Sequence, residues 1–224
     1  MASSTVENYI KQLYLEQVAL PGELVPMGKL ASVMQVTPGT ATAMIKTLAD
    51  AELVAYEPRT GVRLTRGGEQ LALHVLRRHR LVEQFLVDVL GLDWSEVHEE
   101  AEALEHVVSD RVLKQIDELL GHPSVDPHGD PIPSPQGEIS RHDAQSLCDC
   151  PTGKPLRVAR VLDQGADFLQ MLDRLGLIPG TDVEVTRRDG AADAVTVTVA
   201  DMDSATLGYQ AAAKVLVSAP PAST

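Results

Sequence analysis

The chain is poor in cysteine. Among 224 residues only Cys148 and Cys150 occur. They sit two apart in a proline-rich stretch, which excludes a disulfide framework and a paired CxxC zinc site and points to a reduced, cytoplasmic setting. Long apolar runs are also missing. Nothing approaches the ~20 residues that cross a bilayer, and the opening MASSTVENYIK has neither the basic nor the apolar segment of a secretory signal. A soluble protein without a membrane partner is therefore expected. Basic charge is scarce too, with 19 Lys and Arg against 32 Asp and Glu and a formal net charge of −13. Taken whole, that balance argues against a polyanionic partner.

The distribution reverses that conclusion. Residues 1–80 hold 9 basic and 7 acidic side chains, residues 81–150 hold 3 and 16, and residues 151–224 hold 7 and 9. The acid is concentrated in the middle third, so the first third remains free to approach nucleic acid. Ser95 to Leu120 reads as one helical pattern, with five carboxylates and no base between Glu96 and Glu105. At about 100° per residue, His98, Glu102, Glu105 and His106 fall within roughly a 100° sector. A solvated acidic face and a cation site both satisfy that spacing. A solvated helix, however, usually interleaves its acids with Lys or Arg.

In chain order, residues 5–20 carry a helical stripe that ends at Pro21-Gly22. A short helix follows around Met27 to Met34, and after a break another runs from Pro38 to Ala51. Thr37 suits its N-cap and Pro38 its first position. Two helices joined by a short turn make a helix-turn-helix. Leu53 to Glu57 and Val62 to Thr65 form a hairpin around Pro58 to Gly61, which completes a winged helix. Thr37, Pro38, Gly39, Thr40 and Thr42 at the start of the second helix are small enough to approach base edges. Lys29, Lys46, Arg59, Arg63 and Arg66 would reach phosphates.

A long helix is expected over Glu69 to Gly91, placing His79 and Glu83 four apart, either a surface pair or two ligands awaiting a third. Gly121 to Pro155, with seven prolines, reads as a linker or an extended loop over the surface. Beyond it, short β-rich runs (156–162, 182–187, 195–199, 214–217) surround one helical piece (166–175), as in a small β-barrel. The fold class is α+β, with domains expected at 1–72, 73–145 and 146–224.

The order winged helix, RRHRLVEQFL, VHEEAEALEHVVSDRV, DPHGDPIP resembles the diphtheria toxin repressor and manganese transport regulator family of metal-activated repressors. The segment Gln170 to Val185 is similar to the SH3-like barrel of the longer members and of ferrous-iron transport accessory proteins. The resemblance implies a non-enzymatic transcriptional repressor that binds double-stranded operator DNA as a homodimer, with two metal sites per subunit and no small organic substrate. It implies a primary site of Asn8, Glu102, Glu105 and His106, and an ancillary site of His79, Glu83 and His98 with Gln164 and Asp167 from the barrel. Iron-sensing members tend to carry Cys where Glu102 stands, so an oxygen ligand there points to Mn(II). Asn8 stands where manganese sensors have a carboxylate, which leaves Fe(II) open, and Lys11 stands where short manganese sensors have another ligand. A metallohydrolase or a metal-transport accessory protein is the competing class, but neither accounts for the winged helix.

Overall fold

The computed structural model describes residues 3–140, 143–199 and 204–220. The chain forms two compact units. One comprises Met1–His79 with Pro133–Glu138, and the other Arg80–Ile132 with Ile139–Thr224. Among the described residues no helix is long and apolar enough to cross a membrane.

The first unit opens with α1 (Ser4–Ala19), α2 (Met27–Val33) and α3 (Pro38–Asp50), followed by the antiparallel hairpin β1 (Val54–Glu57) and β2 (Gly61–Leu64). Thr37 caps α3 as its residue type demands, its hydroxyl accepting from Thr40 N at 3.2 Å with Pro38 at the first helical position. The wing is tied down twice. Val25 pairs with Val62, and Leu64 N donates to Gln17 Oε1 of α1 at 2.7 Å. Ile10, Leu13, Leu30, Ile45, Leu48 and Val62 close the core beneath it.

α4 (Arg66–Asp88) runs from the first unit into the second. Most of its middle is buried, and this includes the charged run Arg77, Arg78, His79 and Arg80. Arg78 pairs with Glu7 at 3.6 Å, and Arg77 donates to Pro133 O at 2.7 Å. Here the structure departs from the periodicity of Ser95 to Leu120. In place of one helix there are two, α5 (Val97–Leu104) and α6 (Asp110–Leu119), separated by a turn over residues 105–109. Ser109 causes the break. Its hydroxyl accepts from Val112 N, and Asp110 adds an acid to the new first turn, so a fresh N-terminus replaces the continuing helix.

The stretch expected to cross the surface as a linker is partly interior. Asp126, His128, Asp130 and Ile132 are all buried. Its prolines and glycines prevent helix and strand, but its acids find partners described below.

The C-terminal part is a six-stranded antiparallel sheet in the order β3-β8-β4-β5-β6-β7. The strands are β3 (Gln145–Ser146), β4 (Leu156–Val161), β5 (Asp182–Asp189), β6 (Ala194–Val199), β7 (Ala205–Gly208) and β8 (Val215–Ser218). α7 (Ala166–Arg174) follows β4, and the single turn α8 (Tyr209–Ala212) precedes β8. Alternating valines such as Val183/Val185 and Val195/Val197/Val199 place one face of each strand inward. The register slips between Val158 and Arg160, which leaves Ala159 as a bulge in β4. β3, of two residues, and β7, where Thr206 and Gly208 break the valine pattern of the longer strands, are not expected from the sequence.

Candidate metal centre

Glu83 lies at the centre of the second unit's polar interior and is only 1% exposed. It belongs to the face of α4 that carries His79 one turn earlier. Its two carboxyl oxygens face different histidines. Oε1 is 3.2 Å from His98 Nδ1 of α5, and Oε2 is 3.9 Å from Nδ1 of His128. His98 in turn places Nε2 3.8 Å from Glu102 one turn along α5.

His128 is fully buried, and its other nitrogen, Nε2, is 2.9 Å from the carbonyl of Trp94. A carbonyl can only accept, so Nε2 carries a proton, and in the neutral ring the lone pair would lie on Nδ1. That lone pair points at carboxylates: Asp126 Oδ1 is also 3.9 Å away, and Nδ1 has no hydrogen-bond partner among the described residues. Glu83, Asp126 and His128 each offer an atom within 4.8 Å of the others. Two carboxyl groups and an imidazole nitrogen, all buried and converging, could hold a divalent cation. Burial first, then the carboxylates of Asp130 and Glu83, pushes the Asp126 carboxyl well above its usual range against the pull of Arg80. A cation would offset that cost.

The turn after α5 holds the other pair. Glu105 caps the helix and is fully buried, and its Oε1 is 3.2 Å from His106 Nε2. The break at Ser109 therefore ends the shared helical face before these residues, and the turn brings their side chains together. Asn8, on α1 in the first unit, has its Oδ1 buried without a hydrogen-bond partner among the described residues. Lys11 is buried one turn further on.

From the barrel, Gln164 is half-buried and its amide nitrogen donates to Asp130 at 2.8 Å, while Asp167 is exposed in the first turn of α7. Asp126 and His128 were not among the ligands expected from the sequence. Their D-x-H spacing was the available signal, but it lies in a segment without periodicity. Cys150 is buried, and Arg188 Nη2 donates to its sulfur at 3.3 Å; Cys148 donates to Tyr209 O at 3.4 Å. Burial, the largest influence on each, pushes both thiols upward, so they pack the barrel as thiols.

In the first unit, Thr37, Pro38, Gly39 and Thr40 are exposed at the start of α3, with Thr42 half-buried and Lys46 exposed further along. Thr40 and Thr37 hydroxyls lie 2.9 Å apart, and Thr42 donates to Pro38 O at 2.7 Å. Arg59, at a positive φ of 70°, and Arg63 are exposed on the wing. Lys29 pairs with Glu16 at 3.6 Å.

Three family models match the chain. Residues 1–62 match the iron dependent repressor N-terminal DNA binding domain, 65–134 the iron dependent repressor metal binding and dimerisation domain, and 145–219 the FeoA domain. The iron-dependent repressor IdeR of Mycobacterium tuberculosis is 30% identical over 226 residues, covering 95% of this chain and 96% of the relative. The diphtheria toxin repressor of Corynebacterium glutamicum is 31% identical over 199 residues, covering 83% and 85%. Among solved structures, a manganese-dependent transcriptional repressor in complex with manganese superimposes with a TM-score of 0.84 at 37% identity, over 96% of this chain and all of that one. ScaR with bound Cd2+ gives 0.79 at 32% identity over 96% and 99%.

Proposed function

Because the chain belongs to the iron-dependent repressor family, which includes the diphtheria toxin repressors, we propose that it is a transcriptional repressor activated by Mn(II). In this proposal it binds palindromic operator DNA as a homodimer and controls metal homeostasis in the cytoplasm. The observation that carries it is the all-oxygen and imidazole donor set around Glu83, Asp126 and His128. Hard oxygen donors without sulfur suit Mn(II) over softer cations. Fe(II) is the second reading, which the neutral amide oxygen of Asn8 leaves open.

The bound ion supplies a double positive charge among buried carboxylates. Asn8, Glu102, Glu105 and His106 form the primary site. His79, Glu83 and His98 form the ancillary site, extended by Asp126 and His128 through the second oxygen of Glu83, with Gln164 and Asp167 as its barrel-side residues. Residues 1–72, 73–145 and 146–224 act as the DNA-binding, metal-binding and barrel domains. Only differential affinity shifts the chain toward its DNA-competent form. A 1:99 to 99:1 change needs about 10⁴-fold preference, roughly 5.5 kcal/mol. In the dimer the two α3 helices, presenting Thr37, Pro38, Gly39, Thr40 and Thr42, lie about one DNA turn apart, ~34 Å. Lys29, Lys46, Arg59 and Arg63 contact phosphates.

The test is a mobility shift on genomic fragments with Mn²⁺, Fe²⁺ and Zn²⁺ titrated separately. Retardation that appears with Mn²⁺ at the lowest concentration is expected. Equal retardation in chelator would overturn metal activation, and an Fe²⁺ preference would select the second reading.

A further inference from the structure

The loop that carries Asp126 and His128 is held from two sides. From α4, Arg80 lies 3.5 Å from Asp126 Oδ2 and 3.6 Å from Asp130 Oδ2, and it donates to Pro131 O. From the barrel, Arg160 pairs with the other oxygen of Asp130, and Gln164 Nε2 donates to Oδ2 at 2.8 Å. Val161 N donates to His128 O at 2.9 Å. Within the loop, Asp126 Oδ1 accepts from the backbone N–H of His128 at 2.8 Å and of Asp130 at 2.9 Å. Between these anchors Gly129, at φ +84°, lies so close to β4 that a Cβ there would stand 2.0 Å from the carbonyl of the bulged Ala159.

Every barrel contact in this set falls on Asp130, His128 or Gly129, within four residues of Asp126. Glu83, Asp126 and Asp130 place three carboxylates in one buried space, and Arg80 and Arg160 bring two guanidiniums to it. If the barrel-side guanidinium were removed, the loop would lose one of its barrel-side anchors and half of the opposing charge. The imidazole, still tied to the Trp94 carbonyl, would then be held less firmly against Glu83.

We propose that Asp130, Arg160 and Gln164 are positioning residues that make the barrel a working part of the buried metal site, holding the 126–130 loop so that Asp126 and His128 face Glu83. The inference rests on the proposal that Glu83, Asp126 and His128 hold the cation. It gives Gln164 the task of holding a ligand loop, alongside any ligation by its own oxygen.

The experiment uses the full-length protein. Free Mn²⁺ is followed by electron paramagnetic resonance during titration of the wild type, Glu83→Gln, Asp130→Asn, Arg160→Ala and Arg160→Lys. Hydrogen exchange of residues 125–131 is recorded on each metal-free protein. Asp130→Asn and Arg160→Ala should weaken one class of Mn²⁺ binding by roughly 10–100-fold, the usual scale for outer-shell partners. Arg160→Lys, which keeps the charge, should recover most of that loss, and exchange at 125–131 should rise in Arg160→Ala while residues 5–64 stay protected. If Glu83→Gln loses Mn²⁺ but Asp130→Asn and Arg160→Ala bind it as the wild type does, the positioning role is wrong and the site stands. If Glu83→Gln binds normally, the site itself is wrong. A loss in Arg160→Ala that the lysine variant does not recover, and that tracks the melting temperature, would reduce Arg160 to structural support and overturn the inference.

Discussion

The barrel and the helices before it solve the burial problem in opposite ways. Eighteen buried residues form one cluster in the barrel, all apolar if the Cys150 thiol is included. Between Leu81 and Ile132 the two apolar clusters hold four buried residues each. Beside them lie Glu83, Glu105, Asp126 and His128, none more than 3% exposed. Apolar burial stabilises wherever it occurs, at roughly 25 cal/mol per Å². A buried charge instead costs several kcal/mol unless a partner offsets it. The barrel thus draws its stability from apolar burial, while the helical segment must offset buried charge, in part with the guanidiniums of Arg80 and Arg160.

Six substitutions would break or sharpen this contrast. The largest effect is expected at the turn after α5, where Glu105→Ala or His106→Ala should abolish the metal-stimulated mobility shift while circular dichroism shows the fold intact. His79→Ala should weaken the shift more mildly. An unchanged shift in either of the first two would remove them from the metal site. Next comes Leu172→Ala in the barrel core, which should cost about 2–5 kcal/mol in urea unfolding yet leave the Mn²⁺ affinity of the folded protein unchanged.

Asp126→Asn should act in the opposite direction on the metal-free protein. The folded chain keeps the Asp126 proton at pH values where the unfolded chain has lost it, because burial and neighbouring carboxylates hold its carboxyl high. Its contribution therefore falls as pH rises from the ordinary aspartate range toward the raised value. The variant should be more stable than the wild type near neutral pH, match it below about pH 3, and gain less stability from added Mn²⁺. Equal melting at neutral pH would mean that the carboxyl bears no burial cost. The smallest effect is expected from Ser109→Ala, which removes the cap that starts α6 and should cost about 1 kcal/mol in thermal melts.

The winged helix was legible because its signals are local. Thr37 before Pro38, the turn at Pro58 to Gly61 and the helical stripe on α1 each act within a few residues. The barrel's longer strands declared themselves by alternating valines. Period alone predicts a single helix over Ser95 to Leu120 because it does not register a cap. Ser109 interrupts a pattern that Val108, Val112, Leu113 and Ile116 carry on across the break. The interior position of Asp126 and His128 was hidden for a different reason. Nothing nearby in sequence shows that Arg80, 46 residues earlier, or Arg160, 34 residues later, will meet them. Long-range charge pairing leaves no periodic trace.

The sheet order also carries a consequence in time. β4 holds the loop through Val161 and Arg160, and its own neighbours are β5 and β8. β8 spans Val215–Ser218, some fifty-four residues downstream of Val161. During synthesis the helices and the 126–130 loop therefore emerge well before the strand that completes their support. A nascent chain stopped anywhere before residue 215 should have α3 but a less firmly held 126–130 loop, so the proposed metal site would be completed last.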